Sequence, residues 1–176
     1  MKMNYPVMET DRLRLRLLTL EDNEAVFRHF SDEEVTRYMD IAPCRDIAEA
    51  DEIIQFHIDD SGCRWGVFDK QRGQMAGTCG YHCWTAVPLG KAEIGFDLSR
   101  DFWGLGMMKE ALIPVIQFGF EQMELEVIEA TVDPDNDRSL RLLAALGYGR
   151  EAELVDNLVV FYLRREKFTG TLGLPE

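Results

Sequence analysis

The sequence predicts a single α/β domain, and three observations predict it. Its 176 residues suffice for one domain with a buried core and fall short of two of ordinary size. Segments that alternate with period two, as strands do, interleave with segments that carry helical stripes. A helix read over 105–121 joins two segments, 92–98 and 127–132, in the order of a parallel crossover unit, which needs a long connection of this kind.

Taken in order, Leu13, Leu15 and Leu17 alternate with Arg14, Arg16 and Leu18, a strand with one strongly polar face. Thr19 reads as the cap of a helix over 21–30 that carries Ala25, Val26, His29 and Phe30. Two helices follow over 33–39 and 46–60, the second with the stripe Ile47, Ala50, Ile54 and Ile58, and Pro43 breaks the loop between them. Strands 65–68 and 75–81 form a hairpin through the turn 69–73. After a loop with Pro88 and Gly90 come the strand 92–98 and the helix from Leu105. The strand 127–132, a helix over 136–146 stopped by Gly147, and a strand over 158–163 complete the series. Residues 169–176 read as a loose end, which places the domain at 9–168.

Composition narrows the function. Hydrophobic residues form 46% of the chain, as in ordinary globular proteins. No run approaches a membrane span, and Met1-Lys2-Met3-Asn4-Tyr5-Pro6 lacks the apolar block of a secretory signal, so the expected compartment is the cytosol. With 32 acidic and 19 basic residues the net charge is −13, which argues against nucleic-acid binding through a basic surface. This acidity suits a cationic acceptor and equally serves solubility. Cys44, Cys63, Cys79 and Cys83 form no CxxC pair and no zinc spacing. Cys79 and Cys83 share a strand, where four residues at ~3.3 Å each separate them by about 13 Å, beyond disulfide reach. Reduced thiols are expected. His29 and His57 have no partners at ligand spacing, and no metal is expected.

The most informative segment is Leu98-Ser99-Arg100-Asp101-Phe102-Trp103-Gly104-Leu105-Gly106-Met107-Met108-Lys109-Glu110-Ala111-Leu112. A strand enters it, a helix leaves it, and Gly104 and Gly106 occupy the junction. Without Cβ atoms the backbone turns tightly and a ligand can approach. The first-turn N–H groups have no partner within the helix, and the helix dipole favours negative charge there. Such a junction is a phosphate cradle. Lys109, Arg138 and Arg141 are the cations placed to assist. A lone Gly-x-Gly is an ordinary turn; its weight here comes from Ala92-Glu93-Ile94-Gly95-Phe96 upstream and Glu129-Ala130-Thr131-Val132-Asp133-Pro134-Asp135-Asn136-Asp137-Arg138-Ser139 downstream, ending at Leu146-Gly147-Tyr148.

With these segments in this order, and Thr10-Asp11-Arg12-Leu13-Arg14-Leu15-Arg16 at the start, the chain resembles the GNAT superfamily of acetyl-coenzyme A-dependent N-acetyltransferases, and within it the Rim-type branch that acetylates ribosomal-protein N-termini. The resemblance runs from about residue 9 to residue 168. It implies a mixed, twisted and splayed sheet flanked by helices, acetyl-coenzyme A as co-substrate, and an amine acceptor. The family signature Q/R-x-x-G-x-G/A falls on Trp103-Gly104-Leu105-Gly106-Met107-Met108, followed by Lys109. Trp103 replaces Gln or Arg. Met108 replaces a small residue, so its side chain has to turn away from the pyrophosphate.

The remaining roles are carried over in the same way. An oxyanion donor is a backbone N–H of the strand 93–98, where Gly95 permits close approach and Phe96 and Leu98 border the thioester; such a donor is worth ~2.7–4 kcal/mol in the transition state. The same side chains also serve as plain core. The tyrosine that many relatives place seven residues after the helix-opening asparagine is Leu143 here, which cannot donate. Ser139, three residues after Asn136 as in the branch's Asn-x-x-Ser pattern, takes the thiolate's hydrogen bond and Asn136 contacts pantetheine; Asn136 is also a good helix cap and Ser139 an ordinary first-turn residue. Glu93 and Glu129, on adjacent strands, are the candidate bases, acting directly or through water. An α-amine asks little of a base: deprotonation at pH 7 costs roughly 1 kcal/mol, against roughly 4.6 for a lysine amine. His82 and Tyr81 are alternative proton carriers, residue types more often structural at a strand end.

The implied activity is direct attack of a primary amine on acetyl-coenzyme A in a ternary complex, by a monomer or homodimer. The first-choice acceptor is the N-terminal α-amine of a protein, with ribosomal proteins among the candidates. A polyamine, aminoglycoside or other small amine is the alternative, and a coenzyme A sensor that has lost activity is the alternative of another class.

Overall fold

A computed structural model of the chain describes residues 3–60 and 63–169. Apart from Thr169, the expected loose end lies outside the described residues. The chain divides into two compact units, Met1–Gly80 with Phe96–Ala111, and Tyr81–Gly95 with Leu112–Glu176.

In the first unit β1 (Met8–Glu9) pairs antiparallel with β2 (Leu13–Leu17), and β2 pairs antiparallel with β3 (Cys63–Asp69) in the register Leu13↔Asp69 to Leu17↔Trp65. The alternation works as read for Leu13 and Leu15, which are fully buried, whereas Leu17 is exposed. Arg16 turns outward, with its guanidinium 4.1 Å over the Phe68 ring and paired to Asp22. Between β2 and β3 lie α1 (Asn23–Phe30), α2 (Glu33–Thr36) and α3 (Ile47–Asp59). α1 packs on α3, and Val26, Phe30, Ala50 and Ile54 cluster with Leu18, Cys44 and Met75. Only the middle of the expected α3 stripe is buried, because Ile47 and Ile58 face solvent. Asp46 caps α3 by accepting from the Glu49 N–H at 3.0 Å.

In the second unit β6 (Val127–Val132) pairs antiparallel with β8 (Val159–Arg164) along its length, and β7 (Gly149–Arg150) pairs with β8. Lys91, Ala92 and Glu93, which open β5 (Lys91–Leu98), pair parallel with Val127, Ile128 and Glu129. Parallel neighbours need a crossover, and α4 (Met107–Glu121) lies in the connection. α5 (Asp137–Ala145) follows β6. One sheet face, carrying Ala92, Ile128, Ala130, Phe161 and Leu163, is buried, as are Leu112, Val115, Ile116 and Phe120 of α4 and Leu143 of α5. The opposite face carries Lys91, Glu93, Glu129, Thr131 and Tyr162, none of them buried. β4 (Met75–Thr85) begins in the first unit and ends in the second.

The eight strands follow the order β1-β2-β3-β4-β5-β6-β8-β7, an open sheet that mixes parallel and antiparallel pairs. Two corrections bear on the site. α4 starts at Met107 and not at Leu105, because Gly104 and Gly106 adopt φ of +73° and +72° and hold Leu105 in the turn. β4 continues four residues beyond the expected Tyr81, with Cys83 at φ +52° inside it. Elsewhere a 3-10 turn over Leu20–Asp22 precedes α1, α2 stops at Thr36, and the two-residue strands β1 and β7 are too short for alternation to reveal. Among the described residues, no helix is long and apolar enough to cross a membrane.

Candidate active site

The first unit holds the glycine turn. β5 ends at Leu98, a short 3-10 turn over Arg100–Phe102 buries Phe102, and the chain then passes through Gly104 and Gly106 into α4. Both glycines are required by conformation, since left-handed backbone is strained for residues with a Cβ. Space is not the constraint. A Cβ on Gly104 would meet nothing within 4 Å, and one on Gly106 would meet only Arg12 Nη2 at 3.7 Å. The turn is therefore open where the first-turn N–H groups of α4 emerge, a geometry that fits a pyrophosphate.

Three side chains fix this turn. Trp103 Nε1 donates to the Leu98 carbonyl at 2.8 Å, which gives the replacement of Gln or Arg a structural use. Arg12, from the β1–β2 connection, donates through Nη1 to the Leu105 carbonyl at 2.9 Å and through Nε to Glu110 Oε2 at 2.7 Å. Glu110 Oε1 accepts from the Arg12 backbone N–H at 2.9 Å and from the Thr10 hydroxyl. Burial pushes the Glu110 carboxyl up, but the Thr10 and Arg12 donors outweigh it and hold the group below its ordinary range. Met107 and Met108 are 7% and 5% exposed, so the long side chain at 108 is packed in the protein and does not project over the turn. Phe96, Leu98 and Lys109 are half-buried.

Beneath the end of β5 lies a buried polar network. The Asp97 carboxylate accepts from the Thr78 N–H at 3.0 Å and the Thr78 hydroxyl at 2.7 Å, and pairs with Arg64 and His29. His29 Nδ1 lies 2.6 Å from Ser99 Oγ. Burial drives the Asp97 carboxyl up, yet the opposing charge of Arg64, the His29 contact and the Thr78 donors hold it well below the usual carboxylate range. His29, which had no visible partner in sequence, has two. A cavity of about 600 Å³ in the same unit is lined mainly by Phe30, Met39, Ile41, Ala42, Ile53 and Phe56, with Asp40, Glu49 and Glu52 among its polar residues.

The second unit assembles the acid–base candidates on the open face of the sheet. Cα pairing places Glu93 opposite Glu129 and Glu129 opposite Tyr162, a row across three strands. Lys91 Nζ lies 3.1 Å from Glu129 Oε2. Glu93 Oε1 accepts from the Thr131 hydroxyl, and His82 Nε2 is 3.6 Å from Glu93 Oε2. The His82 contact lowers the Glu93 carboxyl, burial opposes this, and Thr131 adds to the lowering, leaving the group below its ordinary range. Potential metal-ligand atoms of His82, Cys83 and Glu93 lie within 4.8 Å of one another, a grouping of a kind common without an ion and one that spacing in the sequence does not reveal. Tyr81 is buried and its hydroxyl donates to the Val115 carbonyl at 2.8 Å, close to where a Cβ on Gly119 would stand. It ties α4 to β4.

At the start of α5, Asn136 Oδ1 accepts from the Ser139 backbone N–H at 3.3 Å, so Asn136 is the helix cap. Ser139 is partly exposed and Leu143 fully buried. None of the four cysteines is in a disulfide, and of the four only Cys83 is exposed. Thus the first unit brings together Trp103 to Lys109 with Leu98, and the second joins Glu93 with Glu129 and Asn136 with Ser139. Arg12, Thr131 and Tyr162 are additions from the structure: Arg12 reads in sequence as the edge of a strand motif, and the other two gain meaning only from register.

Residues 12–149 match the Acetyltransferase (GNAT) domain family. The chain is 38% identical to the uncharacterised N-acetyltransferase p20 of Bacillus licheniformis over 92% of this chain and 97% of that one. It is 28% identical to the ribosomal protein uS5-alanine N-acetyltransferase of Escherichia coli K12, covering 96% and 91% of the two chains, and 25% identical to the spermidine N(1)-acetyltransferase of the same organism, covering 84% and 78%. A crystal structure of a GNAT-family acetyltransferase from Bacillus anthracis superposes with a TM-score of 0.78 at 22% identity, over 92% of this chain and 99% of that one, which speaks to fold alone.

Proposed function

The chain belongs to the GNAT acetyltransferase family and transfers acetyl from acetyl-coenzyme A to an amine, and we propose that its acceptor is the N-terminal α-amine of a protein. The observation that carries this is the apolar cavity of the first unit, whose lining holds three carboxylates, Asp40, Glu49 and Glu52, against one guanidinium, Arg64: it suits a peptide that presents an apolar side chain next to a cationic group. The uS5-alanine relative supports the same reading. A small polyamine is the second reading, supported by the spermidine relative and by the net charge of −13.

In this proposal the open turn at Gly104 and Gly106 and the first-turn amides of α4 hold the pyrophosphate, with Arg12 and Lys109 adding positive charge. Backbone amides of β5 near Phe96 and Leu98 face the thioester. What acetyl-coenzyme A supplies when bound is an activated acetyl group; the chain supplies orientation and proton handling. Glu93 and Glu129 attract the acceptor ammonium and stand where its proton leaves. Asn136 holds pantetheine and the Ser139 hydroxyl donates to the departing thiolate. Attack is direct, since acetyl transfer to an amine needs no acyl-enzyme. The proposed domain spans 9–168, wider than the family match, because β1 pairs with β2 on one side and β8 with β6 on the other. Its proposed location is the cytosol. Thiol release from acetyl-coenzyme A with a panel of α-amine peptides and small amines tests the reading; release with polyamines alone selects the second, and coenzyme A binding without release with any amine selects the sensor.

A further inference from the structure

We infer that His82 accepts the proton of the acceptor amine and that Glu93 holds its imidazole in the tautomer that can do so, an inference that rests on the acetyl-transfer reading of this face. Strand alternation would send His82 and Cys83 to opposite faces. The left-handed φ of +52° at Cys83 breaks that alternation, a conformation that residues with a Cβ adopt rarely and keep only where their surroundings impose it. His82 reaches the Glu93 face by plain alternation after the buried Tyr81, Cys83 reaches it through this backbone conformation, and both come within 4.8 Å of the Glu93 carboxylate.

The geometry sets the roles. His82 Nε2 faces Glu93 Oε2 at 3.6 Å, longer than a hydrogen bond but within ion-pair range, so the charge of the carboxylate favours the proton on Nε2 and leaves the lone pair on Nδ1. The imidazole is 42% exposed and the carboxylate 24%, which places the base outward and its support inward. Thr131 occupies the other carboxylate oxygen. Held below its ordinary range, Glu93 is ionised at neutral pH and a poor acceptor itself, but a good partner for an imidazolium. The other titratable groups near the row are engaged or mismatched. Glu129 is paired with Lys91 and stands opposite Tyr162, Tyr81 donates to α4, and the Cys83 thiol lies beside the pair.

The ammonium gives one proton to Nδ1, and the imidazolium is held by Glu93. The freed nitrogen lone pair attacks the thioester carbonyl, the C–N bond forms, and the C–S bond breaks. The second amine proton passes to the thiolate, and the imidazolium returns its proton to solvent.

The test compares His82→Gln and Glu93→Gln with the unaltered enzyme, using whichever amine turns over. His82→Gln is expected to lower kcat at pH 7 about a hundredfold, with the KM for acetyl-coenzyme A unchanged and partial rescue by added imidazole. Glu93→Gln is expected to cost less and to shift the acidic limb of the kcat profile to lower pH. Turnover of His82→Gln within threefold of normal overturns the inference, and so does a larger loss in Glu93→Gln with no imidazole rescue in His82→Gln. Nitrogen-15 NMR of the imidazole needs no acceptor: the Nε2–H tautomer supports the inference and the Nδ1–H tautomer overturns it. Peptides that fail as acceptors while small amines succeed would sink the protein-N-terminus reading and leave the His82 test intact.

Discussion

Glu110 and Arg12 are 98 residues apart in sequence and joined at 2.7 Å, with the same guanidinium reaching the Leu105 carbonyl at 2.9 Å. The N-terminal strand motif is thereby fastened to the turn of the proposed phosphate site. With Arg12 at 44% side-chain exposure, the ion pair itself adds at most ~1 kcal/mol to stability. Its effect belongs to binding. Arg12→Ala should raise the acetyl-coenzyme A Kd by about tenfold, the equivalent of roughly 1.4 kcal/mol, while thermal stability changes little. An unchanged Kd by calorimetry would separate Arg12 from the cradle.

Gly106→Val forces a β-branched residue into φ +72°, at a conformational cost of about 1–2 kcal/mol. Because the site above Gly106 is open, the loss should appear mainly as weakened acetyl-coenzyme A binding with the fold retained. Normal affinity in a calorimetric titration would remove the phosphate assignment from this turn.

Asp97 should govern acid stability. Its folded pKa is lowered, so its contribution is complete above the unfolded value of ~3.9 and is lost as pH falls below that value toward the folded one. Asp97→Asn leaves the Arg64 guanidinium in a buried network without its counter-charge, an arrangement that costs about 3–5 kcal/mol. Denaturant unfolding across pH 2–7 should show the variant less stable at neutral pH and with a flatter loss below pH ~4. Equal slopes for the two proteins would contradict the assignment.

Ser139 offers a clean separation of roles, because the cap of α5 uses its backbone N–H, which alanine keeps. Ser139→Ala should therefore leave the melting temperature unchanged and lower kcat by about tenfold or more if the hydroxyl assists the thiolate. Normal turnover would return Ser139 to a plain first-turn position.

How far the sequence foretold this architecture depends on the range of each interaction. Local chemistry was legible: the leucine alternation of β2, the glycines that open α4 and the asparagine that caps α5 all declare themselves within a few residues. The exact start of α4 was not, because positive φ at two glycines is a property of the folded turn. Nor were the partners of His29, since Asp97 and Ser99 lie about seventy residues away. The row from Glu93 through Glu129 to Tyr162 exists only once strand register is known, and the approach of His82 to Glu93 belongs likewise to the folded sheet, while Cys83 joins them because it breaks the alternation that sequence reasoning assumes.

The central claim, acetyl transfer to a protein α-amine, is tested most directly with one peptide in two forms. One form carries a free N-terminus, an apolar first residue and an internal lysine; the other is identical but blocked at the α-amine, and spermidine is run in parallel. Mass spectrometry with acetyl-coenzyme A should find acetyl on the α-nitrogen of the free peptide, none on the blocked one, and slower modification of spermidine. Acetylation of spermidine with both peptides untouched would contradict the account.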